Sequence, residues 1–418
     1  MTAPAAEAAP VRTEIVRLGH RGDGITAEGL FVPRTLPGEL VEGPVRDGRI
    51  MGARILRPSA ERVRAPCPHY ARCGGCALMH ARDGFVAGWK TEVIARALAA
   101  QRLEAPMRPI ATSPPATRRR ATLAGRRMRS GALVGFHGPA SDQITPIPEC
   151  QLLHPALMAG LPALEALTAA GASRRGALAL TVTATEDGLD VAVQGAAVDG
   201  AMAARLAGIA GEHGLARLTW DGALLAQATP PRVLLGRARV PLPPGAFLQA
   251  TAEGEAALVE AVREAVGKAG RITDLFAGCG TFSLPLAEGA EVHAVEGDKT
   301  LTGALEAGWR ATPGLRALRA EARDLFRRPL LPAELSRTDA VVIDPPRAGA
   351  EAQTAAIAAS SVPVVAAVSC NPVTFARDAR LLVEAGFTLD WVQPVDQFRW
   401  SRHVELAARL SRPHMGRA

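Results

Sequence analysis

Aromatic side chains make up only 4% of these 418 residues, while Ala, Gly and Pro are abundant. That is a drift of composition and points to no function. Long apolar runs are missing too. None approaches the ~18 residues that cross a bilayer, so no membrane partner is expected. The opening MTAPAAEAAP lacks a basic stretch followed by an apolar one. It is read as a short disordered tail rather than a secretory signal, and the expected location is cytoplasmic. Cysteine is scarce, with six in the chain. A chain of this length buries cores without disulfide staples. In a reducing compartment, clustered cysteines are metal ligands or catalysts rather than disulfides.

What is present suggests two to three domains, at roughly 100–200 residues each. Apolar residues at 48% and charged residues at 21% describe a soluble globular chain. Lys and Arg number 48 against 41 Asp and Glu, a net charge of +7. The pI is near 9.6. A basic balance favours a polyanion such as nucleic acid, although ordinary solubility explains the same number.

Residues 11–58 carry short apolar alternations broken by Gly and Pro. They read as strands of a small oligonucleotide-binding-type barrel. CPHYARCGGC follows, with Cys67, Cys73 and Cys76 spaced C-x5-C-x2-C. Next comes a helical period with Val93, Ile94, Ala97 and Leu98 on one face. Six arginines fall between Arg118 and Arg129 in strand-like alternation. They are either a solvated face or a surface that tracks phosphates. Residues 178–195 read as a hairpin turning at Asp-Gly. From residue 270 the texture becomes strand, loop, helix, repeated, which is a doubly wound α/β domain.

In such domains ligands sit at the carboxyl ends of the strands. After the first strand, DLFAGCGTF places Gly278 and Gly280 where backbone can approach a ligand. Glu296 ends the second strand and can accept both hydroxyls of a ribose. The loop is not a full G-x-G-x-x-G, which favours S-adenosylmethionine over NAD. Asp344 and Arg347 follow the fourth strand in DPPRAG, and Cys370 follows the fifth in SCNP. A helix starting at Asn371-Pro372 would lower the thiol pKa and ready Cys370 as a nucleophile. RHVEL places His403 and Glu405 on one face of a strand, and Glu405 is a candidate base.

DLFAGCGTFSLPLA, DPPRAG, SCNP and HVEL, in this order, resemble the RNA 5-methyluridine methyltransferases. The resemblance covers most of the chain. Residues 12–58 look like the family's RNA-binding TRAM barrel, CPHYARCGGC like its iron–sulfur segment, and Phe247 with Gln249 like its F-x-Q motif. It implies three parts: an OB-type TRAM barrel over 1–60, an iron–sulfur segment with a β-rich central domain over 61–245, and a Rossmann-like methyltransferase domain over 246–418. It also implies Cys370 as nucleophile and Glu405 as final base. Gln249, Phe276, Thr281, Glu296, Asp324 and Asp344 would line the cofactor and target pocket. Two positions depart from the family pattern: Thr251 and Thr281 stand where the family usually has Asn.

Three clustered cysteines need a fourth ligand. Cys279 lies in the cofactor loop and Cys370 is taken by catalysis, which leaves Cys150. Four thiolates suit zinc or an iron–sulfur cluster, and spacing alone does not separate them. The resemblance implies a [4Fe–4S] cluster, read here as structural. The expected partner is RNA: large-subunit ribosomal RNA, with transfer RNA as the alternative, acted on by a monomer. A non-catalytic RNA-binding protein would need neither Cys370 nor Glu405.

Overall fold

The computed structural model describes residues 10–173 and 176–413. The first nine residues, most of the stretch read as a disordered tail, lie outside the described residues. From Val11 to Arg57 the chain forms one seven-stranded sheet of mostly short strands. Its first strand, Val11–Leu18, buries Thr13, Ile15 and Leu18. The alternation breaks after Ile15 because the pairing with Gly24–Thr26 shifts register there. Ile15, Val32, Val41 and Ile50 form the small core.

The central region is a second seven-stranded sheet. Helices Leu161–Gly171 and Gly200–Glu212 bury Leu164, Leu167, Leu206 and Ala210 in its core. The hairpin expected over 178–195 is present, with Leu178–Thr185 paired to Gly188–Gln194. The arginine stretch forms strand Arg120–Arg127 and divides in use. Arg119 pairs with Glu255 at 2.5 Å, and Arg120 donates to the Gly245 carbonyl at 3.1 Å. Arg119 thereby ties the central region to helix Ala252–Val266 of the following domain, and Arg120 is used within the central region rather than facing solvent. Arg127 and Arg129 stay exposed.

The last sheet has eight strands. From one edge these are Leu318–Ala322, Glu291–Glu296, Arg271–Leu275, Ala340–Ile343, Val364–Ser369, Glu405–Ser411, Thr388–Asp396 and Ala111–Thr112. The first five in this order run parallel, and Glu405–Ser411 is inserted antiparallel. Helices Ala252–Val266 and Lys299–Arg310 pack into the core of one face, and Glu351–Ala358 and Pro372–Glu384 into that of the other. The α/β expectation holds.

The eighth strand and helix Asp83–Ala100 come from the stretch read as central. Ile94 and Leu98 bury against the C-terminal sheet, not the central one. Helical periodicity shows that a face is covered, not which domain covers it. The same helix buries Lys90 completely, paired with Asp396 at 2.5 Å and donating to the Phe398 carbonyl at 3.1 Å. It therefore holds the loop between the last two strands in chain order.

Candidate active site

The strand order reverses between Arg271–Leu275 and Ala340–Ile343, where open α/β sheets bind ligands. The loop after the first strand carries three left-handed residues: Phe276 at φ 63°, Gly278 at 57° and Gly280 at 103°. A Cβ on Gly280 would stand 2.8 Å from Leu284 Cδ1 and 3.0 Å from Leu305 Cγ, so space as well as conformation demands glycine. The Glu296 carboxylate accepts from the backbone N–H of Gly278 and of Asp298, each at 3.0 Å. It is thereby fixed beside the loop. Phe276 packs at 5.4 Å from the exposed Phe326 ring. Asp324 accepts from the N–H of Phe326 at 3.0 Å and of Arg327 at 3.2 Å, which puts it next to that aromatic pair. Thr281 is half-buried in the loop.

Acids gather at this end of the sheet. Asp274 is fully buried; Ser283 donates to its Oδ2 at 2.5 Å, and its Oδ1 has no partner. Burial raises its pKa to about 7, and the charges of Asp344 and Glu296 add to the rise. Burial likewise lifts Asp344 to about 7. Several carboxylates gathered together, one with an orphaned buried acceptor, suit a cationic ligand. S-adenosylmethionine, with its sulfonium and ammonium groups, fits this chemistry.

Ser369 pairs with Leu406 across antiparallel strands. That register sets Cys370 and Glu405 side by side at neighbouring strand ends. Both line a cleft of about 560 Å³, together with Arg118, Arg347, Arg402 and His403. Its aromatic walls include Phe247, which is 62% exposed, and Phe398. His403 precedes the strand instead of lying on it, because pairing begins only at Glu405. It meets the Phe398 ring edge-on at 6.0 Å. Burial and the neighbouring Arg347 and Arg402 lower its pKa to about 4.

The Cys370 thiol is not the low-pKa group that a helix end would make it. Burial and the nearby Glu405 and Asp344 raise it, against an opposing effect of Arg347. The helix does start at Pro372, but Asn371 caps it by accepting from the Val373 N–H at 3.2 Å. Asn371 is the only asparagine in the chain. Its Nδ2 also donates to the Arg347 carbonyl at 2.8 Å, tying the two strand-end loops together. Glu405 is 4% exposed. Burial, then the Asp344 charge, raise its pKa to about 8, while a hydrogen bond from Gln397 works the other way.

The C-terminal part of the chain, residues 317–413, matches a family model described as tRNA (Uracil-5-)-methyltransferase. An uncharacterized RNA methyltransferase from Caulobacter vibrioides is 47% identical, over 94% of this chain and 98% of its own. The 23S rRNA (uracil(1939)-C(5))-methyltransferase RlmD of Halomonas elongata is 32% identical, over 96% of this chain and 89% of its own. The chain belongs to the RNA (uracil-5-)-methyltransferase family. It is an S-adenosylmethionine-dependent RNA methyltransferase. Its fold is shared with the Pyrococcus abyssi tRNA (uracil-54, C5)-methyltransferase, solved with S-adenosyl-L-homocysteine. The TM-score is 0.74 at 22% identity, over 96% of this chain and 99% of that one.

The methyltransferase also brings its four expected cysteines together. Cys67, Cys73, Cys76 and Cys150 line one cavity of about 20 Å³, walled by Tyr70, Met79 and Phe136 among others. All four are free thiols. Burial, then Cys150, Cys73 and Cys67 as neighbours, raise Cys76 to about 12. Thiols that hinder one another's ionisation in this way lose their protons to a bound cation. Among the described residues, no three His, Cys, Asp or Glu side chains form a group that could hold a metal ion. A polynuclear cluster binds each thiolate through a different metal atom, so its cysteines need not meet at one point.

All three regions grip this cysteine segment. Arg34 of the N-terminal sheet donates to the Tyr70 carbonyl at 2.9 Å and the Ala71 carbonyl at 2.6 Å. From the central sheet, the His137 carbonyl accepts from Gly74 at 2.9 Å. From the C-terminal domain, the Trp400 carbonyl accepts from Ala77 at 2.8 Å and Leu78 at 2.9 Å. The Trp400 ring packs with Tyr70, Met79 and Leu152 against the cysteines. The loop between Thr388–Asp396 and Glu405–Ser411 thus packs against the cysteines through Trp400. Cys279 is buried in the loop after strand Arg271–Leu275, apart from this group.

Gln249 is buried beside Glu405, and a residue that the sequence did not reveal, Gln397, joins the two. Thr251, one of the two departures from the family pattern, caps the helix that follows. Its Oγ1 accepts from the Gly254 N–H at 3.0 Å, capping helix Ala252–Val266, and lies 2.7 Å from Ser113 Oγ. Nothing in spacing or periodicity marks Gln397; it is one polar residue in a loop, and only the fold sets it against Gln249.

Proposed function

We propose that this enzyme methylates C5 of a uridine in large-subunit ribosomal RNA through a covalent bond between Cys370 and C6. The observation that carries the reading is the side-by-side placement of Cys370 and Glu405 in an arginine-lined cleft. Uracil C5 is a poor nucleophile. Addition of the Cys370 thiolate to C6 makes an enolate, and C5 becomes able to attack. The cofactor supplies a methyl group on a sulfonium. Glu405 then takes the C5 proton, and elimination breaks the S–C6 bond and frees Cys370. The base must leave its stack to reach the thiol, and Phe247, Phe398 and the cleft arginines suit an extruded nucleotide.

Phe276, Thr281, Glu296, Asp324 and Asp344 hold S-adenosylmethionine in this reading, and Gln249 faces the target. Residues 1–60 act as an RNA-binding TRAM barrel, 61–245 as the cysteine-bearing central domain and 246–418 as the methyltransferase domain. The ribosomal relative, similar along nearly its whole length, supports ribosomal over transfer RNA. Mapping 5-methyluridine in both RNAs from a deletion strain tests this. Loss of one mark from large-subunit RNA is expected; loss from transfer RNA alone would overturn the substrate assignment.

Cys67, Cys73, Cys76 and Cys150 are proposed ligands of a [4Fe–4S] cluster. Protein purified without oxygen should be brown and carry about four iron atoms per chain. Cys150→Ser should lose most of that iron and melt lower, whereas Cys279→Ser should keep it. Zinc in place of iron, or full iron in the Cys150 variant, would refute the ligand set.

A further inference from the structure

Gln397 is 1% exposed, and its amide is fully engaged. Its Oε1 accepts from the backbone N–H of Ala250 at 2.6 Å and of Thr251 at 3.4 Å. Its Nε2 donates to Gln249 Oε1 at 2.5 Å and to Glu405 Oε2. The backbone decides which way this amide points. The Ala250 N–H can only meet an acceptor, so the nitrogen of Gln397 must face Gln249 and Glu405. Gln249 must then accept with its oxygen. Its own amide nitrogen makes no hydrogen bond among the described residues and remains available as a donor.

We propose that Gln397 is a positioning residue that sets the hydrogen-bond polarity of the reaction site, making Gln249 a donor to the target base and supporting the ionised form of Glu405. This rests on the reading that Gln249 and Glu405 face a uracil. A donor at that place meets a uracil carbonyl oxygen. Cytosine offers an amino group at C4, donor against donor, and a buried site rejects such a mismatch strongly. Gln397 thus selects uridine over cytidine without touching the base.

The second half follows from what surrounds Glu405. Cys370 faces it from the adjoining strand end and Asp344 from the next one, and Asp344 disfavours its ionisation. Arg347, Arg402, Arg118 and His403 lie in the same cleft, and Lys90 lies behind it, paired with Asp396. Among the described residues, Gln397 supplies the one hydrogen bond to the Glu405 carboxyl.

Gln397→Met keeps the chain length and removes the amide. Methyl transfer and adduct formation would be compared on RNAs carrying uridine or cytidine, and their 5-fluoro forms, at the target position. The preference for uridine should narrow by about tenfold or more, the scale of one lost hydrogen bond in a buried site. The pH midpoint for release of methylated product should rise by about one unit. Unchanged binding of S-adenosyl-L-homocysteine would show that the fold survives. If that variant fails to fold, Gln249→Met tests the donor directly: it removes the amide nitrogen, and uridine preference should be lost. Wild-type preference and pH midpoint in folded Gln397→Met, or wild-type preference in Gln249→Met, would overturn the proposal. Absence of any 5-fluorouridine adduct in the wild-type enzyme would instead bring down the uracil-5 reading beneath it.

Discussion

Cys370→Ala is expected to lower methyl transfer by about three orders of magnitude or more, while S-adenosyl-L-homocysteine still binds. Without the sulfur there is no route to the enolate, and no other thiol can substitute. Cys279 is 2% exposed in the cofactor loop, and the other four cysteines line a separate cavity. Trapping on 5-fluorouridine RNA should show a protein–RNA band for the wild type and none for the variant. Near-normal turnover would end the nucleophile assignment. The raised thiol pKa adds a second expectation: adduct formation should quicken as pH rises, because only the thiolate attacks.

Glu405→Gln should form the adduct and fail to release it, with release slowed roughly 10²–10⁴-fold. In the wild type, release should climb as pH rises through about 8, where Glu405 becomes ionised, and level off above. The variant should lose that dependence. Stability provides an independent check. The folded pKa of Glu405, about 8, lies above its ordinary value of 4.5, so the native state holds this proton longer than the unfolded chain does. The wild type therefore loses stability from this group as pH climbs between those values. A neutral amide is free of that loss, so the melting temperature of Glu405→Gln relative to wild type should be higher at pH 8 than at pH 5. Rapid release of normal product would show that another base acts.

The strand-end residues were legible in the sequence because the doubly wound topology sends every such loop to one edge. Cys370 was read at a strand end, but the sequence did not set Glu405 beside it: Glu405 starts its strand, and only the antiparallel insertion of that strand brings it to the same edge. The cysteines were legible through their rarity. The pKa of Cys370 was not, because it depends on Glu405 and Asp344, which are distant in sequence. Arg119 and Arg120 looked like surface charge, since composition cannot show that Glu255 and the Gly245 carbonyl wait for them. Gln397 was invisible for the same reason: its four partners are Ala250, Thr251, Gln249 and Glu405, three of them about 150 positions away.

The Lys90–Asp396 pair spans 306 positions, and this has a consequence for how the chain is made. Helix Asp83–Ala100 leaves the ribosome early, but the aspartate and the sheet that cover Lys90, Ile94 and Leu98 come much later. At 5–20 residues per second the wait is roughly 15–60 s. During that time only the first half of the helix has a native place to pack: Val86 and Trp89 cluster with Leu18 and Leu36 of the N-terminal region, while Ile94 and Leu98 wait for the last sheet. The helix is therefore completed in two stages, its first turns with the N-terminal region, and Lys90, Ile94 and Leu98 in the same late step as the loop that follows Asp396.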